Sequence, residues 1–188
     1  MEFAFLISTI LLIAYVSLAL YDGVYLHLYK FRLHDREESR FEHIVHTIRA
    51  FLFIGILATA FVNIENDYLF LTGVVLVVLD IVTLLVDAYI EKDSRAFMGG
   101  LPRWEYIIHL VVNGLHFAGI AVLLVIKFRL TNGGLILVHG FSDVQNYKYF
   151  HLVAYNLLPG AIIIGLSHIL LLNLKIKQYV KRISLNCC

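Results

Sequence analysis

The chain has 188 residues, of which 60% are hydrophobic and 15% are charged, and its mean hydropathy is +0.81. This composition excludes an ordinary soluble domain and predicts an integral membrane protein. The net charge of +1 gives no polyanion-binding signature, so the expected partner is the lipid bilayer and not nucleic acid. The two cysteines, Cys187 and Cys188, are neighbours at the C-terminus, which excludes a disulfide framework between distant thiols.

Five apolar stretches are long enough to cross a hydrocarbon core of about 30 Å as helices. They run approximately over 3–21, 44–62, 68–86, 107–126 and 151–174. The first stretch lacks a basic flank and a small-residue cleavage site, so we expect a retained span and not a removed signal peptide. The predicted fold is an all-α integral membrane protein with one membrane domain over 1–188, in which a fifth span joins a four-helix bundle.

A weak internal repeat accompanies these spans. The sequence FEHIVH at 41–46 resembles WEYIIH at 104–109, with identical residues at three of the six positions. This match favours duplication of a two-helix unit, so that spans three and four would be a diverged copy of spans one and two. Chance similarity in a chain of low compositional complexity is the competing explanation.

Basic residues predict the orientation in the membrane. Eleven of the fifteen lysines and arginines lie in the first loop, the third loop or the tail 175–188, and three lie in the loop 127–150. Because short cytoplasmic loops carry the excess of positive charge, the N-terminus is predicted outside and the C-terminus in the cytoplasm. The loop 127–150 is then external, and its TNGG sequence at 131–134 predicts a small hairpin or lid.

Ionisable residues recur along the spans at spacings that place them on single helix faces. These stripes are Glu42, His46 and Arg49 in the second span, Asp80, Asp87 and Glu91 in the third, and Glu105, His109 and His116 in the fourth. Since neighbouring spans are antiparallel, Asp87 is expected at the level of His109. Asp80 is expected at the level of His116, about 10 Å deeper at 1.5 Å per residue.

These stripes predict a metal centre, because a charged residue in a bilayer costs at least about 2.5–3.5 kcal/mol and therefore needs a partner or a function. The predicted ligands are His43, His46, His109, His116 and His168 through nitrogen, and Asp22, Asp80, Asp87 and Glu105 through oxygen. Glu42 and Glu105 are the candidate catalytic acids or bases, and Arg49 and Asn113 the candidate residues that orient the ligands. The simpler alternative for Arg49 is an ion pair with Asp80.

The other histidines are expected to have ordinary roles. His27 and His34 follow the first span in a loop of mixed charge, so they are expected to be solvated or interfacial and not ligands. His139 and His151 fall on the predicted external side and are expected to be unremarkable there. The metal site is therefore predicted toward the cytoplasmic face.

A mixed nitrogen and oxygen ligand set suits iron, zinc or manganese. Helices that project Glu and His inward are also how carboxylate di-iron bundles are built, which makes a di-iron centre the leading prediction. The predicted function is a non-haem, metal-dependent membrane oxidoreductase with a lipid-soluble substrate, such as an acyl chain, lipid or quinone, and an electron donor as a further partner.

Three alternatives use the same residues differently. A zinc-dependent intramembrane hydrolase would share the ligands and differ in the metal. A b-type cytochrome would clamp haem between paired histidines but would leave the carboxylates without a role. A small transporter or proton pathway would use the Asp and His ladder as a relay without any metal.

Overall fold

The computed structural model describes residues 1–173, and most of it is helical. Position 174 at the end of the fifth predicted span, the predicted tail 175–188 and the Cys187–Cys188 pair lie outside the described residues. The long helices are α1 (Glu2–Ala19, continued by a π-helix over Leu20–Lys30), α2 (Arg40–Ile56, continued by a π-helix over Leu57–Phe61), α3 (Asp67–Ser94), α4 (Arg103–Lys127) and α5 (Gln145–Leu172).

Within residues 1–173, five helical segments are long and apolar enough to cross a membrane, as expected of a multi-pass membrane protein. The predicted all-α class is therefore confirmed. The helices run past the predicted spans at several ends, because a helix continues to satisfy its own backbone hydrogen bonds after the sequence turns polar. These polar extensions carry Asp87, Glu91 and Glu105, whose side chains are buried in the bundle.

Four pairs of long helices make most of the contacts between helices. α1 packs against α4 and α5, and α2 packs against α3 and α5. α5 therefore closes the bundle between α1 and α2. The π-helical end of α2 touches α3 so closely that a Cβ at Gly73 would lie 2.6 Å from the Ala60 Cβ, so only glycine fits there.

One end of the bundle carries a β-hairpin, and we call it the hairpin end. β1 (Phe128–Thr131) pairs antiparallel with β2 (Gly134–Leu137), which confirms the predicted hairpin. Gly134 adopts a φ of 113°, a conformation that glycine reaches without strain. The carboxylate of Glu65 holds the chain that follows, since it accepts hydrogen bonds from the backbone N–H groups of Gly140 and Phe141.

The opposite end, which we call the loop end, contains the loops 31–39 and 95–102. The Ser39 hydroxyl donates to the Ser94 carbonyl over 2.8 Å and joins the two loops. A small apolar cluster of Leu26, Phe31 and Leu33 packs beneath them. The main apolar core fills the rest of the bundle toward the hairpin end, where the centroid of the Phe5 ring lies 5.4 Å from that of Phe141 and 5.4 Å from that of Phe150.

Candidate metal centre

Four helices bring polar side chains together inside the bundle near the loop end. The loop-end cluster consists of Asp22 and His27 from the π-helix after α1, Glu42 and His46 from α2, Asp87 and Glu91 from α3, and Glu105 and His109 from α4. His46 and His109 keep small exposed fractions, and the other members are buried. The site is therefore shielded from solvent by the helices that build it.

Two groups of three residues in this cluster have the spacing of a metal site. Ligand atoms of Asp22, His27 and His109 all lie within 4.8 Å of one another, and so do those of His27, Glu42 and His46. We call these the Asp22 triad and the Glu42 triad. His27 belongs to both, and a neutral imidazole binds one ion, so the arrangement offers donors for one shared ion or for two neighbouring ions of which His27 binds one.

The prediction that His27 is solvated or interfacial is wrong, because its side chain is 1% exposed and lies at the centre of the cluster. The cause is the π-helix over Leu20–Lys30. In an α-helix, residues five apart point about 140° away from each other, at 3.6 residues per turn. A π-helix pairs residue i with i+5, which turns His27 back to the face of Asp22. Its Nε2 lies 3.5 Å from the Asp22 Oδ1.

Carboxylates within the triads and beside them orient the histidines. The His109 Nε2 contacts the Asp22 Oδ1 at 3.0 Å, and its Nδ1 contacts the Glu91 carboxylate. The His46 Nε2 lies 3.3 Å from Asp87. Each ring is therefore fixed by an acidic neighbour, which is how proteins hold metal-binding imidazoles in one orientation.

Arg95 is the residue of the site that sequence reasoning missed entirely. Its side chain is fully buried, although it lies in a loop. It donates hydrogen bonds to Glu42 over 2.5 Å and to Glu105 over 2.6 Å. Burial alone would lower the pKa of Arg95, but the two carboxylates outweigh burial and raise its pKa above the usual value.

Arg95 also defines the protonation of His27. Its Nη2 lies 3.1 Å from the His27 Nε2, and a guanidinium can only donate. The His27 Nε2 is therefore the acceptor, which places the imidazole proton on Nδ1. That nitrogen is buried and has no hydrogen-bond partner among residues 1–173. The Nε2 lone pair that a metal would need is thus engaged by Arg95 in this arrangement.

A second polar layer lies deeper along the same faces and is centred on Arg49. Arg49 donates to Asp80 over 3.2 Å, to Asp87 over 3.5 Å and to Asn113 over 2.8 Å. The His116 Nε2 lies 3.2 Å from Asp80, which confirms the predicted match in depth between these two residues. The simpler alternative for Arg49, an ion pair with Asp80, is also present.

The structure divides the predicted ligands into three groups. Asp22, His46 and His109 have ligand atoms in the triads, and Asp87 and Glu105 lie beside them. Asp80 and His116 belong to the deeper layer. His43 and His168 stack on each other with ring centroids 5.2 Å apart and contribute to neither triad. Of the two candidate catalytic acids, Glu42 is itself in a triad, and Glu105 bonds to Arg95.

The charges of the two layers do not balance through arginine alone. Among residues 1–173, six carboxylates of these layers face two guanidinium groups, Arg49 and Arg95, which leaves four negative charges. The carboxylates are Asp22, Glu42, Asp80, Asp87, Glu91 and Glu105. Buried charges are paired or coordinate metals, so the difference requires protons on histidines or bound cations.

An apolar cavity of about 290 Å³ adjoins both layers. It lies between α1, α2 and α5, with mostly aliphatic and aromatic walls. Its polar wall includes Asp22 and His46 from the triads and Arg49 and Asp80 from the deeper layer. The cavity therefore places any bound molecule against the candidate metal ligands.

Comparison with known proteins gives no relative: no family model, curated protein or solved structure matches the chain.

Proposed function

We propose that the protein is a membrane-embedded, metal-dependent oxidoreductase whose metal ion or ions bind in the loop-end cluster. The observation that carries the proposal is the pair of triads that share His27. Imidazole and carboxylate donors together suit iron, manganese or zinc, and a dinuclear iron centre fits the number of donors best. When bound, such a centre would supply the redox chemistry that the chain's own side chains lack.

The charge of the site supports a cation. Two divalent ions would neutralise the four negative charges that the arginines leave, without requiring every histidine to carry a proton. Asp22, Glu42, His46 and His109 would bind the ions, and His27 would join them through Nε2 in place of its contact with Arg95. Asp87 and Glu91 would orient the imidazole rings through the contacts described above.

The cavity supports a lipid-soluble substrate, such as an acyl chain, lipid or quinone. Its walls are apolar, and it lies within the spanning part of the bundle. Water would be a poor competitor for such a space, which would protect reactive species formed at the metal. The electron donor would approach from the loop end, which we assign to the cytoplasm from the distribution of basic residues.

Elemental analysis of protein purified without chelator tests the proposal. We expect one or two iron, manganese or zinc ions per chain, and loss of metal in His27→Gln. His151→Gln is the matched control, because His151 lies at the hairpin end and packs near Tyr147 and Tyr155. A Soret band with stoichiometric haem would select the cytochrome instead, and zinc alone without redox activity would select the hydrolase.

A proton pathway is the second candidate, and the deeper layer favours it. His46, Asp87, Arg49, Asp80 and His116 form a continuous series of contacts of 3.2 to 3.5 Å along the bundle. Chains of acidic residues and histidines of this kind mark proton relays in membrane proteins. Protein without tightly bound metal, together with pH-dependent proton flux in vesicles, would select this function.

A further inference from the structure

The polar wall of the cavity has a composition that restricts what can bind there. Arg49 has five N–H groups, and three of them donate to Asp80, Asp87 and Asn113. Two N–H groups remain on a side chain that lines the cavity. The Arg49 side chain is 17% exposed, and a molecule that covered it without offering an acceptor would leave these N–H groups desolvated and unpaired, so the cavity favours a molecule that presents a hydrogen-bond acceptor to Arg49.

Charge and hydrogen bonding on the same wall disfavour ionic head groups. An anionic head, such as a free fatty carboxylate, would lie against Asp22 and Asp80, and Arg49 is already paired with two carboxylates. Because charges interact strongly in a low-dielectric interior, an anionic head would be repelled. A cationic ammonium head has no acceptor and would leave the remaining N–H groups of Arg49 unpaired. A neutral acceptor, and a carbonyl oxygen above all, meets neither difficulty.

The size of the cavity limits the head group further. Its volume of about 290 Å³ lies near the lower end of the range of small-molecule pockets, about 300–1,000 Å³. A cavity of that size suits a head group of a single substituted ring. The walls around it are apolar, so the molecule is an amphiphile with its neutral head inside and an aliphatic tail directed toward the lipid.

We infer that the cavity between α1, α2 and α5 binds the neutral, carbonyl-bearing ring of a lipid-soluble quinone, with a carbonyl oxygen accepting a hydrogen bond from Arg49. This inference rests on the proposed function in taking the quinone as the substrate of the metal centre. Binding itself needs only the cavity. The inference therefore selects the quinone from the three proposed kinds of substrate, which are an acyl chain, a lipid and a quinone.

Two glycines allow a matched test of the cavity. Gly160 lines the cavity, and Gly114 in α4 does not. At both positions a Cβ would meet no atom within 4 Å, so each accepts a side chain. Gly160→Leu should fill the cavity and Gly114→Leu should not. Gly23→Leu fills the cavity from the α1 side and replaces Gly160→Leu if that variant does not fold.

The experiment measures binding of decylbenzoquinone to detergent-purified protein by equilibrium dialysis, with empty micelles subtracted and decanoic acid as the anionic competitor. We expect saturable binding of the quinone, at least tenfold weaker in Gly160→Leu, unchanged in Gly114→Leu, and no displacement by decanoate. Equal affinity in both leucine variants, or displacement by decanoate, would overturn the inference.

Metal content measured on the same samples separates this inference from the proposed function. Cavity-dependent quinone binding to protein that retains no metal would uphold the quinone site and refute the oxidoreductase. Protein that retains metal but binds quinone equally well in both leucine variants would refute the quinone site and leave the metal centre standing.

Discussion

Removal of Arg95 tests whether the loop-end cluster is held by a buried cation. Arg95 bridges Glu42 and Glu105, and all three side chains are 0% exposed. Arg95→Met keeps a long unbranched side chain and removes the guanidinium. Two carboxylates then remain in the interior without their strongest hydrogen-bond donor.

The expected cost is large. Removal of one partner from a buried ion pair typically destabilises a protein by about 3–5 kcal/mol, because the other charge remains desolvated. For a chain of this size about 1 kcal/mol lowers the melting temperature by about 2–4 °C, so the expected decrease is about 6–20 °C. The melting temperature of Arg95→Lys should lie between those of the wild type and Arg95→Met, since an ammonium keeps the charge but cannot bridge both carboxylates with the same geometry.

Thermal unfolding in detergent, followed by circular dichroism, measures this decrease. Arg36→Met is the matched control, because Arg36 is also a loop-end arginine but is exposed, with its guanidinium 3.7 Å from the Phe97 ring centroid. Its removal should cost about 1 kcal/mol or less. Addition of Glu105→Gln to Arg95→Met should recover part of the loss, since it removes one unpaired charge. A melting temperature for Arg95→Met within 3 °C of the wild type would refute this account.

Three further predictions concern orientation, the start of α5 and the deeper layer. A reporter after Cys188 should be cytoplasmic and one inserted at Gly133 external, and the reverse labelling would overturn the orientation. Glu2→Ala should cost about 1 kcal/mol in thermal unfolding, because the Glu2 carboxylate accepts hydrogen bonds of 2.8 Å from the first two N–H groups of α5. Asp80→Asn should lower stability by about 3–5 kcal/mol, since Arg49 loses a buried partner. Its metal content should stay unchanged, and loss of metal without loss of stability would make Asp80 a ligand instead.

The deeper layer was predictable from the sequence because α3 and α4 are regular helices. The phase of a regular α-helix is preserved over many residues, so spacing alone places Asp80 and Asp87 on one face, and His109 and His116 on another. Depth follows from the rise per residue. The 3.2 Å contact between Asp80 and His116 agrees with both the helix face and the depth that the sequence predicts for these two residues.

The centre of the site was not predictable by the same reasoning. His27 lies five residues after Asp22, and only π-helical hydrogen bonding brings both to one face. Arg95 was counted only among the basic residues of a loop, where arginine is usually exposed. Its burial depends on Glu42 and Glu105, which come from two other helices, and no local pattern contains that information. The sequence therefore predicts regular faces well and misses residues whose positions depend on irregular helix geometry or distant partners.

The shared position of His27 leads to a prediction about the number of metal ions. His109 belongs only to the Asp22 triad and His46 only to the Glu42 triad. If each triad holds its own ion, His109→Ala and His46→Ala should each remove about half of the metal, and His27→Ala should also remove about half, because its Nε2 can bind only one of the two ions. If a single ion is shared, each of the three substitutions should remove most of the metal, because loss of any direct ligand weakens the same site.

Elemental analysis of the three variants at equal protein concentration distinguishes the two arrangements, with His139→Ala as the control. His139 lies beside Asp67 at the hairpin end, which is the opposite end of the bundle from both triads. Half-occupancy in both single-triad variants would establish two ions, and the iron assignment would then require a dinuclear spectrum. Full metal content in His27→Ala would contradict both arrangements, because this substitution removes a proposed metal ligand in each of them.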